Sequence, residues 1–234
     1  MCDSCGCETL SRRTIDVNQP LLAANAAAAR HNREHFAARQ IFTVNLMGAP
    51  GAGKTALLEA TIRNWRGAGR IGVIEGDQAT ERDSARVRAA GALAHQVETG
   101  LGCHLDAAQI HRALHRMELA RGDVLFIENV GNLVCPALFD LGENLRIVVT
   151  SPAEGVDKPL KYPPMFRAAE LVTLNKCDLL GHVPFAPDEW TDYVIAANPR
   201  ARILRTAAID GAGIEAWLEE ILRRRRAFLE SSAK

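Results

Sequence analysis

The sequence predicts an α/β protein, a mostly parallel sheet covered by helices on both faces and preceded by an N-terminal arm and helix. Three observations carry that expectation. Short, nearly continuous apolar runs recur along the chain, which is how strands buried on both faces read. Segments with helical spacing lie between them, the alternation of a parallel sheet with crossover helices. A glycine-rich run, GAPGAGKT (48–55), stands between the first strand and the next helix, which makes the fold of the P-loop NTPase kind.

Taken in order, residues 1–17 read as an arm, a cysteine motif followed by polar residues without periodicity. Residues 18–40 read as a helix, with Asn18 as its N-cap, Pro20 in the first turn and good helix formers after it. Residues 41–234 then form the P-loop NTPase domain. Its strands are IFTVNLM (41–47), RIGVIE (70–75), HQVET (95–99), DVLFIE (123–128), RIVVTS (146–151), LVTLN (171–175) and ARILRT (201–206). Its helices are 53–66, 80–90, 105–121 with a stripe at Ile110, Leu114 and Met117, and 213–229. The run Arg223–Arg226 reads as a solvated helix end beside its negative dipole.

Composition removes whole classes of function. The chain has 234 residues, 28 Lys+Arg against 28 Asp+Glu, 47% hydrophobic and 24% charged residues. Those proportions argue against disorder, and the zero net charge leaves no electrostatic footprint for nucleic acid or an anionic membrane. No apolar run approaches the ~18 residues of a membrane span. MCDSCGCETLSRR lacks the apolar core of a secretory signal, so the expected location is cytoplasmic.

GAPGAGKT fits GxxxxGK[ST] in full. Gly48, Gly51 and Gly53 let the backbone turn and aim N–H groups at phosphate oxygens, with Ala52 inside the run and Ala56 just after it as further nucleotide-binding candidates. The following helix adds its positive end. Lys54 is expected to reach the β- and γ-phosphates, and the Thr55 hydroxyl to coordinate Mg²⁺.

The base is chosen elsewhere. NKCD (175–178) follows a strand and matches the guanine motif NKxD. A carboxylate accepts from both N1–H and the 2-amino group of guanine, whereas adenine would leave it unpaired. Asp178 is therefore the specificity residue, Asn175 and Lys176 brace the loop and flank the base, and the nucleotide is GTP. RTAAIDGAG (205–213), with Ala207, is the candidate second guanine loop.

Hydrolysis needs carboxylates near the γ-phosphate. Asp77 in EGD (75–77) is a candidate Mg²⁺ ligand, and Glu128 at the end of DVLFIE is another catalytic candidate. ENVG (128–131) has the spacing of a DxxG switch with Glu in place of Asp, and Gly131 would offer its N–H to the γ-phosphate. Asn132, not Gln, follows Gly131. Without a water-positioning Gln the expected intrinsic turnover is slow, roughly 10⁻⁴–10⁻² s⁻¹.

Six cysteines complete the inventory. CDSCGC places Cys2, Cys5 and Cys7 together. Thiolates suit Zn²⁺, Cu(I) and Ni²⁺, and the α-amine is a fourth donor if Met1 is removed. A reactive thiol cluster or an incomplete zinc knuckle is the alternative. Cys103 and His104 are adjacent, and Cys135 lies on the ENVG loop; together they supply three ligands, an open site or half of a shared one. Two buried cysteines and a surface histidine fit that spacing equally well. Cys177 reads as a loop residue without metal. His31 and His35, and likewise His111 and His115, stand at i, i+4 and read as polar helix flanks.

With CDSCGC, GAPGAGKT, EGD, TGLGCHLDA, ENVGNLVCP, DKPLKYPP and NKCD in one chain, the sequence resembles the hydrogenase maturation GTPases of the HypB family over essentially its whole length. The resemblance implies a GTPase that dimerises on binding nucleotide. It implies a high-affinity nickel ion on Cys2, Cys5 and Cys7, and a weaker Ni²⁺ or Zn²⁺ site of Cys103, His104 and Cys135 near the dimer interface. It implies nickel transfer toward a [NiFe]-hydrogenase large-subunit precursor with a small HypA-type zinc protein. Some relatives carry a His-rich storage tract, but residues 8–40 here hold only His31 and His35. A urease-type nickel GTPase and a regulatory GTP switch with incidental cysteines are the competing readings.

Overall fold

The computed structural model describes residues 18–77, 82–100 and 102–232. In chain order these form α1 (Asn18–Ala38), β1 (Phe42–Met47), α2 (Lys54–Arg63), β2 (Ile71–Asp77), α3 (Arg82–Ala89), β3 (Leu93–Glu98) and α4 (Ala107–Leu114). Then come β4 (Val124–Glu128), β5 (Leu145–Thr150), α5 (Lys158–Lys161), α6 (Pro163–Ala168), β6 (Leu171–Leu174), α7 (Pro187–Ala197), β7 (Arg202–Arg205) and α8 (Ile214–Ser231). The strands make one seven-stranded sheet in the order β3-β2-β4-β1-β5-β6-β7, parallel at every pairing. β1 lies between β4 and β5, while the chain leaves it for β2 on the far side of β4. A crevice therefore opens at its carboxyl end, where ligands bind in open α/β sheets.

Alternation along β1 shows why both faces need helices. Phe42, Val44 and Leu46 point into a core closed by Leu57 and Leu58 of α2 and Trp217 of α8. Met47 packs on the other side with Val148, Val172, Phe166 and Trp190. On that same side Ile74, Leu125 and Ile127 meet Phe36 of α1 and Ile110 and Leu114 of α4. The N-terminal helix is thus a structural layer. Its buried Asn32 donates to the carbonyls of Ala107 (2.8 Å) and Leu141 (3.0 Å). Asn25, two turns earlier, accepts from the Ala107 N–H at 2.9 Å, so α1 holds the start of α4 in place.

Three expectations need correction. The helix expected over 105–121 is α4, which stops at Leu114. A capping box of Asp106 and Gln109 starts it, but beyond His115 the chain turns, and Met117 and Leu119 reach the core from that turn. The apolar stripe therefore outran the helix. Helix α7 was not expected; Pro187 opens it and Trp190 and Val194 bury one face. The arginine run is not a solvated end, because α8 continues to Ser231. Arg225 is only 8% exposed and donates to the Gly122 carbonyl at 2.7 Å.

Arg223 and Arg224 grip Glu220, with contacts of 2.7 and 2.9 Å from Arg223 and 2.7 Å from Arg224. The Arg223 contact, followed by Arg224, holds the Glu220 carboxyl at about 2, below its ordinary value of 4.5. A carboxyl lowered on folding stabilises above its unfolded pKa and loses that contribution as pH falls toward the folded one. Arg223 is 58% exposed, so screening reduces the contribution to about 1–2 kcal/mol. Glu220→Gln is expected to destabilise by that amount at neutral pH in urea unfolding. The gap to wild type should shrink as pH falls below 4.5 toward 2; a gap independent of pH would contradict the assignment.

Candidate functional site

The loop joining β1 to α2 needs glycine at two places. Gly48 has φ 150°, and a Cβ there would lie 2.2 Å from the Val149 carbonyl oxygen. Gly53 has φ 91°, and a Cβ would strike the Asn175 amide at 2.5 Å. Only a backbone without side chains passes between β5 and the 175–178 loop at this closeness. The loop opens into a cleft of about 560 Å³ whose walls include Pro50, Lys54, Thr55, Glu75, Glu128 and Gly131. That volume suits a small-molecule ligand.

Lys54 is 7% exposed and donates to the carbonyls of Gly48 (3.3 Å) and Ala49 (3.2 Å). Burial pulls its ammonium below the usual amine range, and Glu128 and then Glu154 offset part of that. The Thr55 hydroxyl donates to Glu128 Oε1 at 2.8 Å. Burial pushes the Glu128 carboxyl up to about 7, against the pull of Lys54 and of the Thr55 hydroxyl. Its second oxygen is buried without a hydrogen-bond partner. A hydroxyl, a carboxylate and an orphaned oxygen beside a phosphate loop fit a hard divalent cation.

Asp77 ends β2, and its side chain lies outside the described residues. Glu75 and Asp83 line the cleft along with Glu128, and Glu75 is in register with Glu128 across the β2–β4 pairing. Glu75 stands in the same EGD motif as Asp77, and nothing in the motif itself distinguishes the two acids. Of the remaining phosphate-loop candidates, Gly51 and Ala56 line the cleft, while Ala52 is buried in the core beneath it.

The guanine motif is assembled next door. Asn175 is fully buried and donates to the carbonyls of Ala52 (3.3 Å) and Gly53 (3.2 Å). It accepts from the Thr206 hydroxyl at 3.1 Å, so one amide ties the phosphate loop to both base-side loops. Lys176 takes a left-handed φ of 58° and lines both this region and the phosphate cleft. Asp178 faces a cleft shared with Leu179, Ala208 and Ile209, and its Oδ1 is buried without a partner. Ala207 is not among the residues lining that cleft. It is buried, and its N–H is taken by the Ala212 carbonyl at 2.8 Å. Cys177 donates to the Leu174 carbonyl at 3.2 Å, apart from the other described thiols.

Cys103, His104 and Cys135, three residues distant in sequence from the phosphate loop, converge. Their ligand atoms lie within 4.8 Å of one another, with Cys103 Sγ 2.8 Å from Cys135 Sγ and 3.5 Å from His104 Nδ1. The His104 ring is stacked on Phe139 at 3.7 Å, which fixes its plane. Burial lowers the His104 imidazole and raises the Cys135 thiol from their ordinary values. Two thiols and an imidazole form a donor set for Zn²⁺ or Ni²⁺ with a position left open. Cys2, Cys5 and Cys7 lie outside the described residues.

The cluster and the cleft are mechanically joined. Asn132 donates its N–H to the Gly48 carbonyl at 3.1 Å, in an isolated antiparallel bridge. The Asn132 side chain in turn caps the Val134 (2.7 Å) and Cys135 (3.4 Å) N–H groups. A Cβ on Gly131 would stand 2.9 Å from the Pro50 backbone, so the two loops touch. On the other side Asn129, unflagged by the sequence, accepts from the Leu105 N–H at 3.1 Å and the Val130 N–H at 3.0 Å. Both arms of the thiol cluster are therefore hydrogen-bonded to elements that frame the phosphate cleft.

A parallel α/β sheet with this loop and cleft defines a P-loop nucleotide-binding protein, here with a thiol–imidazole cluster bonded to its phosphate loop. Residues 42–205 match the family described as CobW/HypB/UreG, nucleotide-binding domain, and the chain belongs to that family, among its HypB members. It is 48% identical over 219 residues to the hydrogenase maturation factor HypB of Azotobacter chroococcum mcd 1, covering 94% of this chain and 72% of the relative. The crystal structure of HypB from Helicobacter pylori in complex with nickel is similar at a TM-score of 0.83 and 35% identity, covering 87% of this chain and 96% of that one. HypB from Archaeoglobus fulgidus gives 0.80 and 40%, covering 87% and 99%. No described helix is long and apolar enough to cross a membrane.

Proposed function

We propose that this chain is a GTP-hydrolysing nickel metallochaperone that delivers nickel for assembly of a [NiFe]-hydrogenase active site. The observation that carries the reading is the Gly48–Asn132–Cys135 link, which places a soft-metal donor set on the loop that meets the phosphates. The nickel named in the Helicobacter pylori structure and the maturation role named for the Azotobacter relative support it.

In this mechanism the phosphate-loop N–H groups and Lys54 hold the phosphates, and Gly131 offers its N–H to the γ-phosphate. Asp178 reads guanine through its orphaned carboxylate, and Ala208 and Ile209 close the base side. Thr55 and Glu128 would hold Mg²⁺, with Asp77, two residues beyond Glu75, as a further carboxylate. Bound there, Mg²⁺ supplies charge neutralisation on the phosphate oxygens. Asn132 is spent on capping Val134 and Cys135, which leaves no side chain after Gly131 to orient water and supports slow turnover.

Nickel is cargo. Cys2, Cys5 and Cys7 form the capture site, and Cys103, His104 and Cys135 the nucleotide-coupled one, open also to Zn²⁺. Val134 and Leu138, 52% and 56% exposed, flank Cys135 with apolar surface suited to a second copy in a GTP-dependent homodimer. A HypA-type zinc protein and the hydrogenase large-subunit precursor are the proposed partners in the cytoplasm.

Nickel stoichiometry and GTP turnover test the reading together. The expected result is turnover of GTP over ATP, loss of the arm ion in Cys2/Cys5/Cys7→Ala, and loss of the second ion in Cys103→Ala. Nickel binding unchanged in all these variants would favour a plain GTP switch and sink the chaperone reading.

A further inference from the structure

The sequence places His31 and His35 on one helix and His111 and His115 on another, each pair reading as an ordinary polar flank. The fold brings the two pairs together where α1 packs on α4. His111 Nε2 lies 3.1 Å from His115 Nε2. The His31 ring centre is 4.8 Å from that of His111. The His35 ring centre is 6.4 Å from His111 and 6.3 Å from His115. Among the described residues none of these rings forms an ion pair with a carboxylate, and the His35 Nε2 and His111 Nδ1 atoms are buried without hydrogen-bond partners.

We propose that His31, His35, His111 and His115 form a further metal site, an all-imidazole site for a borderline divalent transition-metal ion such as Ni²⁺ or Zn²⁺. Imidazole is the ligand class these ions share. At metal–nitrogen distances of roughly 2.1 Å, two nitrogens 3.1 Å apart subtend close to a right angle at the ion. That angle belongs to cis positions of a square-planar or octahedral ion more than to a tetrahedron, and favours Ni²⁺. His111 and His115 are thus spaced as the first two ligands. His31 and His35 stand one turn apart on the facing helix with ring centres 4.8–6.4 Å from the first pair, so binding them to the same ion requires rotamer changes.

Burial and mutual repulsion lower His35 and His111 from the ordinary imidazole value, with Arg39 adding to the effect at His35. Those two rings are therefore biased toward the neutral form that binds metal. Arg39 itself is engaged with the Leu119 carbonyl. An ion here would staple α1 to α4, and α4 begins just after Cys103 and His104, so it would also stiffen one arm of the thiol cluster.

The test uses the full, tag-free chain with Cys2, Cys5, Cys7, Cys103 and Cys135 changed to Ser, titrated with Ni²⁺ and separately with Zn²⁺. One equivalent should still bind, with only nitrogen and oxygen neighbours and imidazole scattering in X-ray absorption. It should raise the unfolding temperature by linkage. His111→Gln or His31→Gln should weaken it by roughly tenfold or more, the scale on which even indirect ligand losses act. Should the five-Ser chain not fold, His111→Gln/His115→Gln in the wild-type chain should lower nickel stoichiometry by one ion. The thiolate-to-metal absorption and GTP turnover should then stay unchanged. Absence of that equivalent, or binding indifferent to the histidine changes, would overturn the proposal while leaving the thiol-site reading intact.

Discussion

Replacing Lys54 with alanine is expected to cut GTP turnover about a thousandfold, near 4 kcal/mol of lost transition-state stabilisation. The size follows from position. Lys54 is 7% exposed, and its ammonium rests on two loop carbonyls and feels the Glu128 carboxyl. An electrostatic donor in such surroundings acts far more strongly than on a surface. Arg86, the guanidinium that lines the same cleft, is already engaged by Glu59 at 2.6 Å and Asp83 at 2.9 Å. Single-turnover hydrolysis measures the effect, with nickel bound to the nucleotide-free protein as the control. Turnover within about tenfold of wild type would remove Lys54 from the phosphate role.

Asp178→Asn is expected to weaken GTP by about a hundredfold or more while strengthening xanthosine triphosphate. The buried carboxylate oxygen presents acceptors where guanine offers two donors, N1–H and the 2-amino group. An amide keeps one acceptor and gains a donor, which matches the carbonyl that xanthine carries at that position. The rescue separates base reading from a merely structural role. The exposed neighbour Ile209 and the half-buried Ala208 tolerate the swap, since Asp178 makes no fold-supporting bond through Oδ1. Competition binding with the two nucleotides measures it. Loss of GTP binding without any gain for the xanthine nucleotide would contradict the assignment.

Much of this site is local chemistry and was readable from the chain. GAPGAGKT, ENVG and NKCD each specify a loop at the end of a buried strand, and the strand pattern found every strand of the sheet. What escaped depended on distance in space. Glu75 sits in a motif that pointed to Asp77, and only the β2–β4 register shows which acid stands beside Glu128. Ala207 looked like a base-edge residue until the bridge to Ala212 consumed its N–H. The stripe through Met117 kept helical spacing after the backbone had turned, because a loop too can drop apolar side chains onto the core. The arginine run looked solvated because sequence does not show that Arg225 lies under the Gly122 carbonyl. The histidine pairs meet only when α1 docks on α4, through the asparagines that tie them.

The thiol cluster is the reverse case. Its three residues are separated by the length of α4 and β4, yet the pairing of CHL with the loop after ENVG was suggestive in sequence. What the structure adds is the linkage. The 2.8 Å approach of Cys103 to Cys135 is maintained from one side by Asn129 and from the other by Asn132, which is bonded to Gly48. A nucleotide that shifts Gly48 would, through Asn132, shift Cys135 relative to Cys103 and His104. Linkage requires the metal to act back on the nucleotide by the same factor.

Nickel affinity of the Cys2/Cys5/Cys7→Ser protein, measured once with GDP and once with a non-hydrolysable GTP analogue, tests that coupling directly. With the arm ligands removed, the account predicts that affinity at Cys103, His104 and Cys135 changes by about fivefold or more between the two states, and that nickel shifts analogue affinity by the same factor. Equal nickel affinity in both nucleotide states, with the ion still lost in Cys135→Ala, would show that the cluster binds metal but does not sense the nucleotide, and would contradict the account.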